Sequence, residues 1–140
     1  MFFLRMIASE ALTYIQRNTE FKNMYTYPDT AGKYFWLYGS WESWNIKIIQ
    51  KHFLGAPTNG TFLDIGANLG CYTINLSHMF SKVISFEPAS IASSVLYANV
   101  ESNSISNCEI IKKGVGDQNA TLNLNITANN SGLSSIKYTT

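Results

Sequence analysis

The rhythm of apolar and polar positions changes once along this chain, near residue 58. In the opening MFFLRMIASEALTYIQRN, Ile7, Ala11, Tyr14 and Ile15 recur at helical spacing, which predicts an amphipathic helix. A loop carrying Pro28, Asp29 and Gly32 follows. A second helix is predicted from near Ser40 to about Phe53, with Glu42 in its first turn and Trp44, Ile48 and Ile49 along it. Gly55, Pro57, Asn59 and Gly60 then break the pattern. Residues 1–58 thus read as a helical, aromatic-rich cap, and residues 59–140 as the body of the fold.

From Thr61 onward, short apolar runs alternate with helical stretches. Phe62 to Ile65 is a strand signal of the kind buried on both faces. Tyr72 to Met79 reads as a helix with Tyr72, Leu76 and Met79 on one side, and Val83 to Phe86 as the second strand. Ile91 to Val100 reads as a helix capped by Ser90, with Ile91, Val95 and Leu96 inward. Cys108 to Ile111 is the third strand. This order predicts an α/β fold with a parallel sheet and right-handed crossovers. In the tail, Thr121 to Ile126 alternates as a half-buried strand does, and Asn129 to Gly132 reads as a turn.

Composition narrows the function classes. The 140 residues are 46% hydrophobic and 14% charged, as expected of a globular domain rather than a disordered chain. A net charge of +1 provides no basic face, so no nucleic-acid partner is expected. The apolar stretches are too short for a membrane span. Arg5 and Glu10 interrupt the apolar start, so no secretory signal is read and a cytoplasmic location is expected. Cys71 and Cys108 stand far apart, and His52 and His78 lack partners at ligand spacing, so no metal is expected.

The chemistry concentrates in Asp64-Ile65-Gly66-Ala67-Asn68-Leu69-Gly70, directly after the first strand. Gly66 permits a sharp turn and close approach of a ligand, and Gly70 permits close packing of the next helix. The backbone N–H groups opening that helix suit an anionic group. Twenty-one residues after Gly66, at the end of the second strand, stands Glu87. An acid there accepts hydrogen bonds from ribose hydroxyls. A dinucleotide fingerprint would place a second glycine where Asn68 stands. Asp64 is poorly suited to a pyrophosphate and well suited to a cationic amino group. S-adenosylmethionine, which has an amino group, a carboxylate and a ribose but no phosphate, therefore fits better than NAD. An NAD-binding Rossmann domain is the less favoured alternative.

LDIGANLGCYT, VISFEP, GVGDQNATLNL and NSGLSSI, in that order and spacing, resemble the FkbM-type family of S-adenosylmethionine-dependent methyltransferases over residues 61–136, and YGSWE resembles its upstream approach. The resemblance implies a Rossmann-like class I methyltransferase fold and O-methylation of a sugar or natural-product hydroxyl. It further implies that Asp64, Gly66, Asn68 and Gly70 surround the methionine part of the cofactor, that Glu87 binds the ribose, and that Gly114, Val115 and Gly116 lie near adenine. Asp117 reads first as a turn acid, and Glu42 as a residue favouring its helix terminus rather than a cofactor contact. The aromatic cluster of Tyr34, Phe35, Trp36, Tyr38, Trp41 and Trp44 reads as core rather than as a stacking wall for a sugar.

The family pattern continues into a fourth strand with an Asp-Val-Glu-Gly-like segment, which this sequence lacks. The expected fold is therefore incomplete: the first three βα units plus a following strand, or the 3-2-1 half of the sheet. A truncated frame is the expectation, with a non-catalytic cofactor-binding remnant or half of a split protein as the alternative to an active methyltransferase. The first strand would leave an edge open for pairing. The expected partner is a small-molecule or glycan acceptor. No residue presents itself as the catalytic base.

Overall fold

The computed structural model describes residues 4–7, 12–15, 24–27, 30, 34, 42–53, 58–126 and 135–137. The opening segment is not helical where it is described. Three strands, β1 (Leu4–Ile7), β2 (Leu12–Ile15) and β3 (Met24–Thr26), form an antiparallel meander, with Leu4 opposite Ile15 and Tyr14 opposite Tyr25. LTYI is rich in residues that favour extended backbone, whereas Leu, Arg and Met of LRMI favour helix, so pairing between the segments overrides both local propensity and the weak 3.6-residue stripe.

Helix α1 (Ser43–His52) starts three residues later than expected. It seats Ile46 fully in the core, whereas Trp44 is 73% exposed, so the core reading of that aromatic does not hold. Tyr34 is also exposed; Phe35, Trp36, Tyr38 and Trp41 lie outside the described residues.

The body follows the expected alternation. Strand β4 (Thr58–Ile65) leads through the glycine loop to α2 (Cys71–Leu76), which ends in a 3₁₀ turn over Ser77–Met79. Strand β5 (Phe80–Phe86), helix α3 (Ser90–Ser102) and strand β6 (Cys108–Ile111) follow. Ser90 is the first helical residue rather than the cap, a position taken by Ala89 without a side-chain bond. The three strands are parallel in the order β4-β5-β6, which is the expected half-sheet. Strands β7 (Asn123–Asn125) and β8 (Ser135–Lys137) make a separate antiparallel pair, and the expected turn at 129–132 lies outside the described residues.

Alternation across the sheet places Phe62, Asp64, Val83 and Ser85 on the face that the helices cover. Leu69, Ile74, Leu76, Met79 and Val95 fill the layer between, joined by Met24 from β3 and Ile46 from α1. The opposite face carries Leu63 and Ile65, which are 53% and 59% exposed. The expectation of a strand buried on both faces therefore fails on that side, because none of the described helices packs there. Ile91 is also more exposed than its helical position led one to expect, whereas Val95 and Leu96 are buried. It lies on the outward side of α3, whose buried side carries Ala92, Val95, Leu96 and Asn99.

Candidate functional site

The glycine loop leaves the C-terminal end of β4 and is pinned at once to the neighbouring strand. Gly66 and Ala67 both donate their N–H groups to the carbonyl of Phe86, at 2.9 and 3.0 Å. Gly66 has φ +78, and nothing lies within 4 Å of where a Cβ would stand. The residue is thus required by backbone conformation and leaves open space above the loop. Gly70, at φ +90, differs: a Cβ there would collide with Leu96 Cδ1 on α3. Its glycine serves helix packing, as the sequence suggested, although the neighbour is a helix and not the strand. Asn68 also has positive φ, a conformation asparagine tolerates better than most residues.

Glu87 is only 7% exposed, at the end of β5. Oε2 accepts the Asn68 N–H at 2.8 Å and Oε1 accepts the Ala89 N–H at 2.8 Å. Loop and acid are therefore one unit, and the Asn68 backbone acts on Glu87. One donor per oxygen leaves each with acceptor capacity for a ligand hydroxyl. Gly114 reaches the same place: a Cβ on it would lie 3.9 Å from Pro88 Cγ. Val115 beside it is exposed, and Gly116 is close only to the Gln118 carbonyl. The structure brings Gly66, Asn68, Glu87 and Gly114 around the ends of β4 and β5.

Asp64 is buried below the loop. Its Oδ2 accepts the Thr73 N–H at 3.0 Å and the Thr73 hydroxyl at 2.6 Å. That N–H, in the first turn of α2, is consequently committed to a side chain and not offered to an anion. Thr73 Oγ1 lies 2.6 Å from Ser85 Oγ, which lies 3.6 Å from Cys108 Sγ. With Asp64 ionised, the single Thr73 hydroxyl proton points at the carboxylate, so Ser85 donates to Thr73 and Cys108 to Ser85. A polar thread thus crosses all three strands. Burial pushes the Asp64 carboxyl above its ordinary range, against the two Thr73 bonds, and the Glu87 charge adds to the rise. Burial also raises the Cys108 thiol, which keeps it protonated.

Glu42 takes a place that the sequence did not anticipate. It is the N-cap of α1 in left-handed conformation, without capping through its side chain. Its carboxylate instead accepts the Tyr72 hydroxyl from the start of α2. Burial, then this bond, pushes Tyr72 up to about 12. Thr73, Ser85 and Tyr72 were missed because a hydroxyl in a helix or strand has no spacing signature. Their partners lie on other elements and are set by how the helices pack on the sheet and on each other.

Among the described residues, no helix is long and apolar enough to cross a membrane. No protein-family model and no curated protein matches the sequence. Solved structures do. The chain is similar to TYW2 of M. jannaschii in complex with AdoMet, at 18% identity and a TM-score of 0.53, over 77% of this chain and 46% of that one. It is similar to TYW2 of P. horikoshii in complex with MeSAdo, at 14% identity and a TM-score of 0.54, over 77% and 38%. A putative transferase of Pyrococcus horikoshii matches at 15% identity and a TM-score of 0.53, over 76% and 37%. The described residues form part of a Rossmann-like α/β fold of the kind these structures have. The chain spans less than half the length of each of these three structures. The glycine loop and Glu87 sit at the carboxyl ends of the parallel sheet β4-β5-β6, where ligands bind in open α/β sheets.

Proposed function

We propose that this chain binds S-adenosylmethionine and belongs to a methyltransferase. The observation that carries this reading is the buried Glu87 carboxylate, oriented by the Asn68 and Ala89 N–H groups beside the open space over Gly66. Glu87 takes the ribose hydroxyls in this reading. Asp64, Gly66, Asn68 and Gly70 form the wall around the methionine part, with Gly70 acting through the packing of α3. Gly114, Val115 and Gly116 flank the adenine. The loop lacks the middle glycine of a dinucleotide fingerprint and has an acid beneath it, which disfavours a pyrophosphate. The complexes of similar fold with AdoMet and MeSAdo support the same ligand class.

Bound there, S-adenosylmethionine would supply an electrophilic methyl group. The residues of this chain hold and orient it. Transfer then needs an acceptor atom in line with the methyl carbon and a route for its proton. The acceptor we favour is a sugar or natural-product hydroxyl, on the resemblance of DIGANLG and FEP to the FkbM-type pattern; no base is assigned.

Isothermal titration with S-adenosylhomocysteine tests the reading. Glu87→Ala should weaken binding at least roughly tenfold, since it removes a charge-assisted acceptor from a buried site. Unchanged affinity in a folded Glu87→Ala variant would remove Glu87 from the site.

A further inference from the structure

The Asn99 side chain, on α3, is fully buried and joins two segments that are remote in sequence. Its Oδ1 accepts the Tyr25 N–H, and its Nδ2 donates to the Tyr25 carbonyl at 3.1 Å. Nδ2 also donates to the Leu69 carbonyl, inside the glycine loop, at 2.8 Å. The N–H and C=O of one strand residue point to the same side. Both groups of Tyr25 are therefore turned away from β2 and toward α3, where the Asn99 amide completes the ladder as a neighbouring strand would.

Three backbone groups thus share one amide. Losing the amide removes this hydrogen bond from all three, and a lost hydrogen bond in a buried site is costly. The Leu69 carbonyl is the critical one. It lies between Asn68, whose N–H orients Glu87, and Gly70, which fits against Leu96 on the same helix as Asn99.

We propose that Asn99 is a positioning residue that couples the N-terminal sheet to the ligand loop, so that the docking of β3 and the binding-competent form of the loop stabilise one another. The coupling rests on the reading of this loop as the S-adenosylmethionine site only for its functional consequence; the mechanical link is independent of ligand. When β3 is held, the Asn99 amide is fixed by two bonds to Tyr25 and presents Nδ2 to Leu69. When β3 detaches, the amide loses that orientation and the loop gains freedom at Asn68 and Gly70. By linkage, a ligand that orders the loop strengthens the hold on β3 by the same factor.

Amide hydrogen exchange on the full chain provides the test, through two variants. Asn99→Leu removes the amide, and Tyr25→Pro removes the N–H that faces α3, together with the Tyr25 ring, while leaving α3 unsubstituted. In the ligand-free protein, each should accelerate exchange at the Ala67 and Gly70 amides roughly tenfold, while the β5 amides Val83 and Ser85 keep their rates. Each should also weaken S-adenosylhomocysteine binding by a comparable factor. A merely structural role would accelerate β5 and the loop together, and that result overturns the proposal. So does loop exchange that is unchanged in Tyr25→Pro. Absence of S-adenosylhomocysteine binding by the unsubstituted protein counts against the ligand reading alone, because the exchange arm needs no ligand.

Discussion

Gly66 and Gly70 both lie at positive φ, yet replacement by alanine should fail in two different ways. At Gly66 the cost is backbone strain of roughly 1–2 kcal/mol, and the new methyl projects into the space assigned to the ligand. Gly66→Ala should therefore damage binding more than folding. At Gly70 the strain is joined by collision with Leu96, so Gly70→Ala should lose about 2–4 kcal/mol of stability. Denaturant titration of the Gly70→Ala and Leu96→Ala cycle checks the cause: the Gly70→Ala penalty should shrink on the Leu96→Ala background. An additive cycle would show that collision with Leu96 is not the reason.

Asp64 is the second residue whose position sets a measurable behaviour. Its raised carboxyl value means that the folded chain holds the proton more tightly than the unfolded chain. Its contribution is then fully present below the ordinary value of 3.8 and is lost as pH rises through the folded-state value. Asparagine can accept both Thr73 bonds through its single oxygen without a buried charge. Asp64→Asn should accordingly be more stable than the unsubstituted protein at pH 7, with the difference narrowing as pH falls into the acidic range. Urea titrations at pH 7 and pH 3.5 measure this, and a less stable Asp64→Asn at pH 7 would show that the carboxylate bonds outweigh burial. A buried acid retained against its own stability is what a ligand-facing role would maintain.

At the scale of elements, the two faces of the parallel sheet behave as different environments. Val83 faces the helices and is fully buried, so Val83→Ala should cost about 2 kcal/mol through lost burial and a residual cavity. Ile65→Thr, on the opposite face of β4, should stay within about 0.5 kcal/mol. Equal losses in thermal unfolding would mean that the second face is covered in solution. The Lys82–Glu109 ion pair between β5 and β6, at 2.8 Å, is half-exposed on both sides and contributes no more than about 1 kcal/mol.

These elements also show how far the sequence could be read. The loop, Glu87 and the order strand-helix-strand-helix-strand were legible because each carries a local signal: a glycine at a turn, an acid at a strand end, a short apolar run. The opening meander was not legible. The stripe of Ile7, Ala11, Tyr14 and Ile15 satisfies helical spacing, while the strand alternative depends on pairing partners that no local window contains. Trp44 misled for a related reason, since helical spacing does not say which side of α1 meets the core; the α2 side takes Ile46 instead. Asn99 was silent because an asparagine within an apolar helix looks like a surface residue until Tyr25 and Leu69 are brought to it.

For the whole molecule, the described residues comprise a half-sheet of Rossmann-like order, two helices on one face, an additional helix against α2, a small antiparallel sheet attached to α3 through Asn99, and the separate β7-β8 pair. Among the described residues β4 is an edge strand, and Leu63 and Ile65 on it are exposed. We propose that this arrangement selects S-adenosylmethionine over a dinucleotide, with an acid beneath the loop and Glu87 as the acceptor for ribose hydroxyls. Equilibrium dialysis of the purified chain against labelled S-adenosylmethionine and, in parallel, labelled NAD tests it most directly. Saturable S-adenosylmethionine binding at one site per chain, displaced by S-adenosylhomocysteine and not by NAD, is expected. Saturable NAD binding without uptake of S-adenosylmethionine would contradict it.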